Sequence, residues 1–89
     1  MENKKNLPTA RQMIPALIEA LGSLGGQANV RDLENAVANQ LGLTTEQLSI
    51  THDKSRTEFQ YRLAWTRSYA KKEGLVASPV RNVWAMGRS

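Results

Sequence analysis

Apolar residues recur every three or four positions in three long segments of the chain, the spacing of amphipathic helices. The positions that share one side of each segment are Ile14, Leu17, Ile18, Leu21 and Leu24, then Val30, Leu33, Val37 and Leu41, then Phe59, Leu63, Thr66 and Ala70. Two short apolar runs follow the last segment and are typical of strands. The pattern therefore predicts three main helices and a hairpin around one core.

The first helix has a cap at Thr9 and a proline near its start. Because Pro15 removes one backbone hydrogen bond, either the first turn is irregular or the helix begins closer to Met13. Gly25-Gly26 ends this helix. A glycine pair also occurs in phosphate-binding loops, but no Gly-Lys-Ser/Thr follows it, so we interpret it as a turn.

The middle of the chain carries two further helix starts. Asn29 with Asp32 begins the second helix, and Gly42 ends it. Thr44 and Gln47 have the spacing of a capping box, which predicts a short helix from Thr45 to about Thr51.

The last third reads as a capped helix followed by a hairpin. Ser55, three residues before Glu58, is the expected cap of a long helix over 56–72, and Gly74 ends it. The expected strands, 75–77 and 83–86, flank a turn-rich link at 78–82, and 27–29 is the expected third strand. The fold class is mainly α with a small antiparallel sheet, a winged helix-turn-helix of order α-β-α-(α)-α-β-wing-β.

Eighty-nine residues without repeats predict one domain. We expect a flexible N-terminal arm at 1–8, the winged-helix domain at 9–86 and a tail at 87–89. The chain has no apolar run near the ~20 residues of a membrane span and no signal peptide, so we expect a cytoplasmic, nucleoid-associated protein with no membrane partner.

The positive charge is concentrated in the second half of the chain. Residues 1–50 hold four Lys/Arg against five Asp/Glu, whereas residues 51–89 hold eight against three. The long helix and hairpin therefore carry the excess, as expected of a domain with one anion-binding face.

The outward side of the long helix is basic and polar. Such a face can enter the major groove of duplex DNA, although basic faces are often only solvated. The candidate DNA-binding residues, including the flanks of the helix and the wing, are Arg56, Gln60, Tyr61, Ala64, Arg67, Ser68, Lys71, Lys72 and Arg81. Tyr61 could stack on a base or contact a thymine methyl. Arg62 could pair with Glu58, Asp53 or a carboxylate of another helix, or it could touch DNA. Trp65 and Trp84 are expected in the core or at its edge.

Catalytic chemistry has little support in the sequence. His52 is the one histidine, no serine or cysteine is arranged as a nucleophile, and there is no cysteine at all. The chain lacks the clustered ligands that a metal needs, so we expect no enzyme, metal site or cofactor.

Several motifs together resemble the N-terminal winged-helix domain of the Mrr restriction family. They are Phe59-x-x-Arg62-x-x-Trp65, Tyr69-x-Lys71-Lys72-x-Gly74-Leu75 and Ser78-Pro79-x-Arg81-x-Val83-Trp84, with Leu24-Gly25-Gly26 and Leu41-Gly42-Leu43-x-x-Glu46-Gln47-Leu48 before them. The likeness runs from about Leu7 to Met86. Asn82 replaces the usual wing glycine, and asparagine also tolerates a positive φ.

The resemblance implies a DNA-recognition module of a restriction system that acts on modified DNA. Its relatives carry a separate nuclease domain, so a nuclease domain or subunit is a possible partner beside double-stranded DNA. The alternatives are a protein-interaction or homodimerisation module and a small transcriptional regulator. The target sequence and any reading of a methylated base are not encoded in a recognisable motif.

Overall fold

The computed structural model describes residues 7–87 and contains helices together with one small antiparallel sheet. A 3-10 turn, Arg11–Met13, leads into α1, Ile14–Ser23. The elements that follow are β1 (Gln27–Asn29), α2 (Val30–Leu41), α3 (Thr45–Leu48), α4 (Glu58–Lys72), β2 (Val76–Val80) and β3 (Val83–Met86). The sheet order is β1-β3-β2, with both pairs antiparallel. The mixed fold class and the third strand are confirmed.

The start of the first helix resolves the question raised by Pro15. Thr9 and Gln12 exchange hydrogen bonds, with the Thr9 hydroxyl accepting from the Gln12 backbone at 3.2 Å. The chain then makes a 3-10 turn, and α1 begins at Ile14 with the proline in its first turn, where a missing N–H is tolerated. The first turn is therefore irregular, and the α-helix also starts beside Met13.

The predicted ends of α2 are confirmed, whereas α3 is shorter than expected. The Asn29 side chain accepts from the Asp32 backbone, and Gly42 ends the helix at φ 66°. Thr44 and Gln47 form the predicted capping box, but α3 stops at Leu48. No residue of α3 is buried, so packing does not extend it further.

The cap of α4 is Thr57, so the prediction that Ser55 caps the helix is wrong. The Thr57 hydroxyl accepts from the Gln60 backbone at 3.1 Å, and the Gln60 side chain accepts from the Thr57 backbone at 3.0 Å. Asp53 instead accepts hydrogen bonds from the backbone and the hydroxyl of Ser55, which hold it in the loop before the helix. The backbone N–H of Ser55 is the main reason that the pKa of Asp53 is lowered.

The core lies between α1, α2 and the inward side of α4. Leu17, Leu21, Leu33, Val37 and Leu63 are fully buried. Phe59, Thr66 and Ala70 are buried beside Leu63, so the predicted inward side of the long helix is confirmed. Burying this stripe fixes the opposite side of α4 toward solvent.

A buried ion pair ties the beginning of the described chain to α4. Glu58 is 5% exposed, and its carboxylate accepts from Arg62 Nε at 2.7 Å. Arg62 Nη1 also donates to the carbonyls of Leu7 and Pro8. Of the partners considered for Arg62, Glu58 is therefore the one observed. Leu7 is buried, so packing reaches into the expected arm, whose residues 1–6 lie outside the described part.

The hairpin is tighter than the sequence predicts. Strand β2 continues through Ser78 and Pro79 to Val80, which leaves Arg81 and Asn82 as the turn. The register between β2 and β3 shifts between Ala77 and Val80, which accommodates a proline on an edge strand. Asn82 has φ 65°, as its replacement of glycine requires. The predicted link at 78–82 is therefore wrong in length.

Candidate nucleic-acid interface

The outward side of α4 is the centre of the candidate interface. Ser68, Lys71 and Lys72 are exposed, and Ala64 is half-buried among them. Trp65 is also exposed, by 47%, so its expected place at the core is wrong. It lies two residues, or about 200°, beyond the buried Leu63.

A shallow recess of about 310 Å³ occupies the first half of this side. It is lined by Arg56, Tyr61, Ala64, Trp65 and Ser68. Four of these five are predicted site residues, and Trp65 is the addition. The structure thus brings Arg56, which precedes the helix, to the same place as side chains from its first three turns.

Tyr61 is held in place by the loop before α4. His52 stacks on its ring with the centroids 3.7 Å apart and the planes 11° from parallel. The guanidinium of Arg56 lies 5.4 Å from the same ring centroid. One face of Tyr61 is therefore already covered, which reduces the ring surface left for the predicted stacking on a base.

Arg67 and Lys71 lie on another flank of α4, against the sheet. Arg67 and Lys71 approach the Trp84 ring at 5.5 and 6.0 Å. Trp84 is half-buried and packs on the core, as expected. Arg67 Nε and Nη1 are buried and have no hydrogen-bond partner among residues 7–87. Burial lowers the pKa of Arg67, and the nearby negative charge of Glu34 opposes this shift.

Gln60 is engaged by two neighbours. Its backbone and side chain form the capping box with Thr57, and its Nε2 donates to Glu34 Oε1 at 3.4 Å. In this arrangement both ends of the amide have partners. A base edge could be read by Gln60 only if one of these contacts were exchanged.

The hairpin turn is fixed against the start of α2. The Val30 backbone N–H donates to the carbonyl of Asn82 at 3.0 Å, and Arg81 beside it is exposed. A concave surface of about 380 Å³ between turn and helix is lined by Asn29, Val30, Arg31, Glu34 and Asn82. Arg31 was not among the predicted site residues. The available signal was its position at a helix N-terminus, where anions such as phosphate are bound.

The nine predicted residues thus fall into separate groups. Four line the recess, Arg67 and Lys71 flank Trp84, Lys72 lies one turn beyond Ser68, Gln60 faces α2, and Arg81 is at the hairpin turn. Their contact with DNA stays a prediction.

Within residues 7–87 no three His, Cys, Asp or Glu residues are grouped as metal ligands. None of the helices in that range is long and apolar enough to cross a bilayer.

Residues 11–88 match the family model of the Mrr N-terminal domain. The chain belongs to this family. The match covers nearly the whole sequence and confirms the resemblance drawn from the motifs around α4 and the hairpin. Membership relates this Mrr N-terminal domain to restriction systems, and the match contains no nuclease domain. Neither the curated proteins nor the solved structures gave a significant match.

Proposed function

We propose that this Mrr N-terminal domain is a winged-helix module that binds double-stranded DNA as the recognition part of a restriction system. Two features support the winged helix. The elements follow the order α1-β1-α2-α3-α4-β2-β3, and the last strand lies in the middle of the sheet beside β1. In this arrangement α4 is the recognition helix and the β2–β3 turn is the wing.

The distribution of free charge carries the proposal. Lys71, Lys72 and Arg81 are exposed on α4 and the hairpin turn. Each of the three acidic side chains in this half has another cation as its partner: Glu58 is buried with Arg62, Glu73 lies 3.6 Å from Arg11, and Asp53 lies 3.7 Å from Arg56. A surface with unopposed cations attracts the phosphates of DNA.

The remaining candidate residues lie beside these exposed cations. Ser68 and Ala64 are short, so the helix backbone can approach base edges in the major groove. Arg31, in the first turn of α2, lines the concave surface beside the wing, and Arg81 is exposed in the turn next to Asn82, which also lines it. They are placed to meet phosphates next to the groove that α4 enters.

Titration with salt tests the proposal. Fluorescence anisotropy of a labelled 20-base-pair duplex should give a Kd on the order of micromolar at physiological salt, because one module makes about four to six phosphate contacts. The slope of log K against log salt should be about −4 to −5. Absence of binding at low salt, or a flat salt dependence, would contradict DNA binding and favour a protein partner.

A further inference from the structure

The recess on α4 differs from the rest of the basic surface because an aromatic ring forms part of it. Trp65 is 47% exposed, which is unusual for the largest apolar side chain in a small domain. Its ring rests against Tyr69, with the centroids 5.8 Å apart and the planes tilted by 33°. Tyr69 therefore supports Trp65 from the side of the next helical turn while the ring remains open to solvent.

The other wall of the recess is formed by Tyr61, whose ring is packed against its neighbours. Tyr61 lies one turn before Trp65 and is held by the stacked His52 ring at 3.7 Å. Between the two aromatic residues the helix carries Ala64 and Ser68, whose short side chains leave the recess open. The recess is thus a preformed slot beside an exposed indole.

Positive charge lies at both ends of the slot. Arg56 lines it at the N-terminal end of α4, and Lys72 is exposed one turn beyond Ser68 on the same side of the helix. Arg56 approaches Asp53 at 3.7 Å, but both side chains are more than 40% exposed, so this pair is weak and a phosphate can compete for Arg56. The two ends therefore suit phosphates of one strand that lie several nucleotides apart, on either side of a base in the recess.

We propose that this recess binds an unpaired base of single-stranded DNA, which stacks on Trp65 while Arg56 and Lys72 contact phosphates of the same strand on either side of it. In a duplex the faces of the bases are covered by their neighbours, so an exposed indole can meet only base edges. An unpaired base offers its full face, and base–aromatic stacking is largely independent of sequence. The site shares α4 with the proposed duplex interface, but its existence does not depend on duplex binding.

The probes are labelled dT12 and the blunt-ended 20-base-pair duplex, each measured by anisotropy with the 89-residue chain. Trp65→Ala should weaken dT12 binding by about 5- to 150-fold, the range for loss of one stacked base. Trp65→Phe should retain most of the affinity because it keeps a ring. Met86→Ala is the matched control, since Met86 is 42% exposed at the far end of β3, and it should leave dT12 binding unchanged.

A second readout separates stacking from a general loss of structure. In a titration with dT12 followed by NMR, the indole N–H signal of Trp65 should shift more than that of the half-buried Trp84. The melting temperature of Trp65→Ala should stay close to that of the wild type, because an exposed ring adds little to the core. The salt slope for dT12 should be about −1.4, which corresponds to two contacts at −0.7 each.

Several outcomes would overturn the proposal. The first is unchanged dT12 affinity in Trp65→Ala, and the second is absence of dT12 binding at low salt. The third is a shift of the sedimentation coefficient to that of a monomer in Trp65→Ala without any effect on dT12 binding, which would assign Trp65 to a contact between copies of the chain. Binding of dT12 that depends on Trp65, with no binding of the 20-base-pair duplex, would support the recess and contradict the duplex function.

Discussion

Two residues of α4 differ in solvent exposure from what the sequence predicts, and each difference changes which side chains of the helix can contact DNA. Trp65 was expected at the core and is exposed, whereas Arg67 was expected free on the outward face and is partly buried over Trp84. Replacing Arg67 by alanine would therefore remove packing as well as charge, so its loss is a poor test of phosphate contact. Lys71 and Arg81 are cleaner probes because both are exposed.

Glycine at position 87 offers a sharp test of the packing behind the hairpin. A Cβ built there would lie 2.2 Å from the carbonyl oxygen of Gly74, which is backbone and cannot rotate away. Gly87→Ala should lower the free energy of unfolding by about 1–3 kcal/mol, measured by urea unfolding.

Gly22 provides the matched control for this change. It lies within α1, where a Cβ would meet nothing among the described atoms within 4 Å. Gly22→Ala should therefore raise the free energy of unfolding by up to about 1 kcal/mol. If both variants were destabilised by the same amount, the close approach of Gly87 to Gly74 would not be the cause of the loss of stability.

At the scale of elements, periodicity and turn chemistry predicted most of the fold. The buried side of α4, the third strand and the left-handed positions at Gly42, Gly74 and Asn82 all follow from local residue types. The helix cap was missed because Ser55 and Thr57 both precede a suitable partner at the capping-box spacing. Only the loop geometry, in which Asp53 binds Ser55, decides between them.

The site was less predictable than the fold because a helical wheel carries no information on neighbours. It places Gln60 and Arg67 away from the core, but α2 brings Glu34 beside both of them. Likewise Tyr61 faces outward, and only the loop that returns over α4 places His52 on its ring. These contacts join residues of different elements, so they depend on tertiary packing.

The two candidate caps of α4 can be told apart by substitution. Thr57→Ala should lower the free energy of unfolding by about 0.5–2 kcal/mol, because one backbone donor of the first turn loses its acceptor. Ser55→Ala removes only an exposed hydroxyl and should change stability by about 0.5 kcal/mol or less. Thermal unfolding of both variants measures the difference, and a larger loss for Ser55→Ala would place the cap where the sequence first suggested it.

At the scale of the whole molecule, charge is separated between the first half, which carries α1 and α2, and the half that carries α4 and the hairpin. The sum of +4 hides this separation. If the exposed cations act as one face, their position must matter more than their number. A charge removed from this face and a charge removed elsewhere then have different effects, although both lower the net charge by the same amount.

Arg11, Lys71 and Arg81 supply this comparison. Lys71→Ala and Arg81→Ala should each reduce the magnitude of the duplex salt slope by about one and weaken binding to all sequences alike, because each removes one phosphate contact. In the double variant the magnitude of the slope should fall by about two. Arg11 is also exposed but pairs with Glu73 and lies over Tyr69 at 4.3 Å. Because its charge is paired with Glu73 and it is not one of the predicted phosphate contacts, Arg11→Ala should leave the slope unchanged.

Folding should be nearly the same in all three single variants, since exposed charges change stability by about 0.5 kcal/mol or less. Melting curves check this before binding is compared. If Arg11→Ala flattens the slope as much as Arg81→Ala does, attraction follows from net charge alone, and α4 with the wing is not the DNA-binding face. A loss confined to Lys71→Ala and Arg81→Ala, and additive in the double variant, requires that the helix and the hairpin turn contact the same duplex at once.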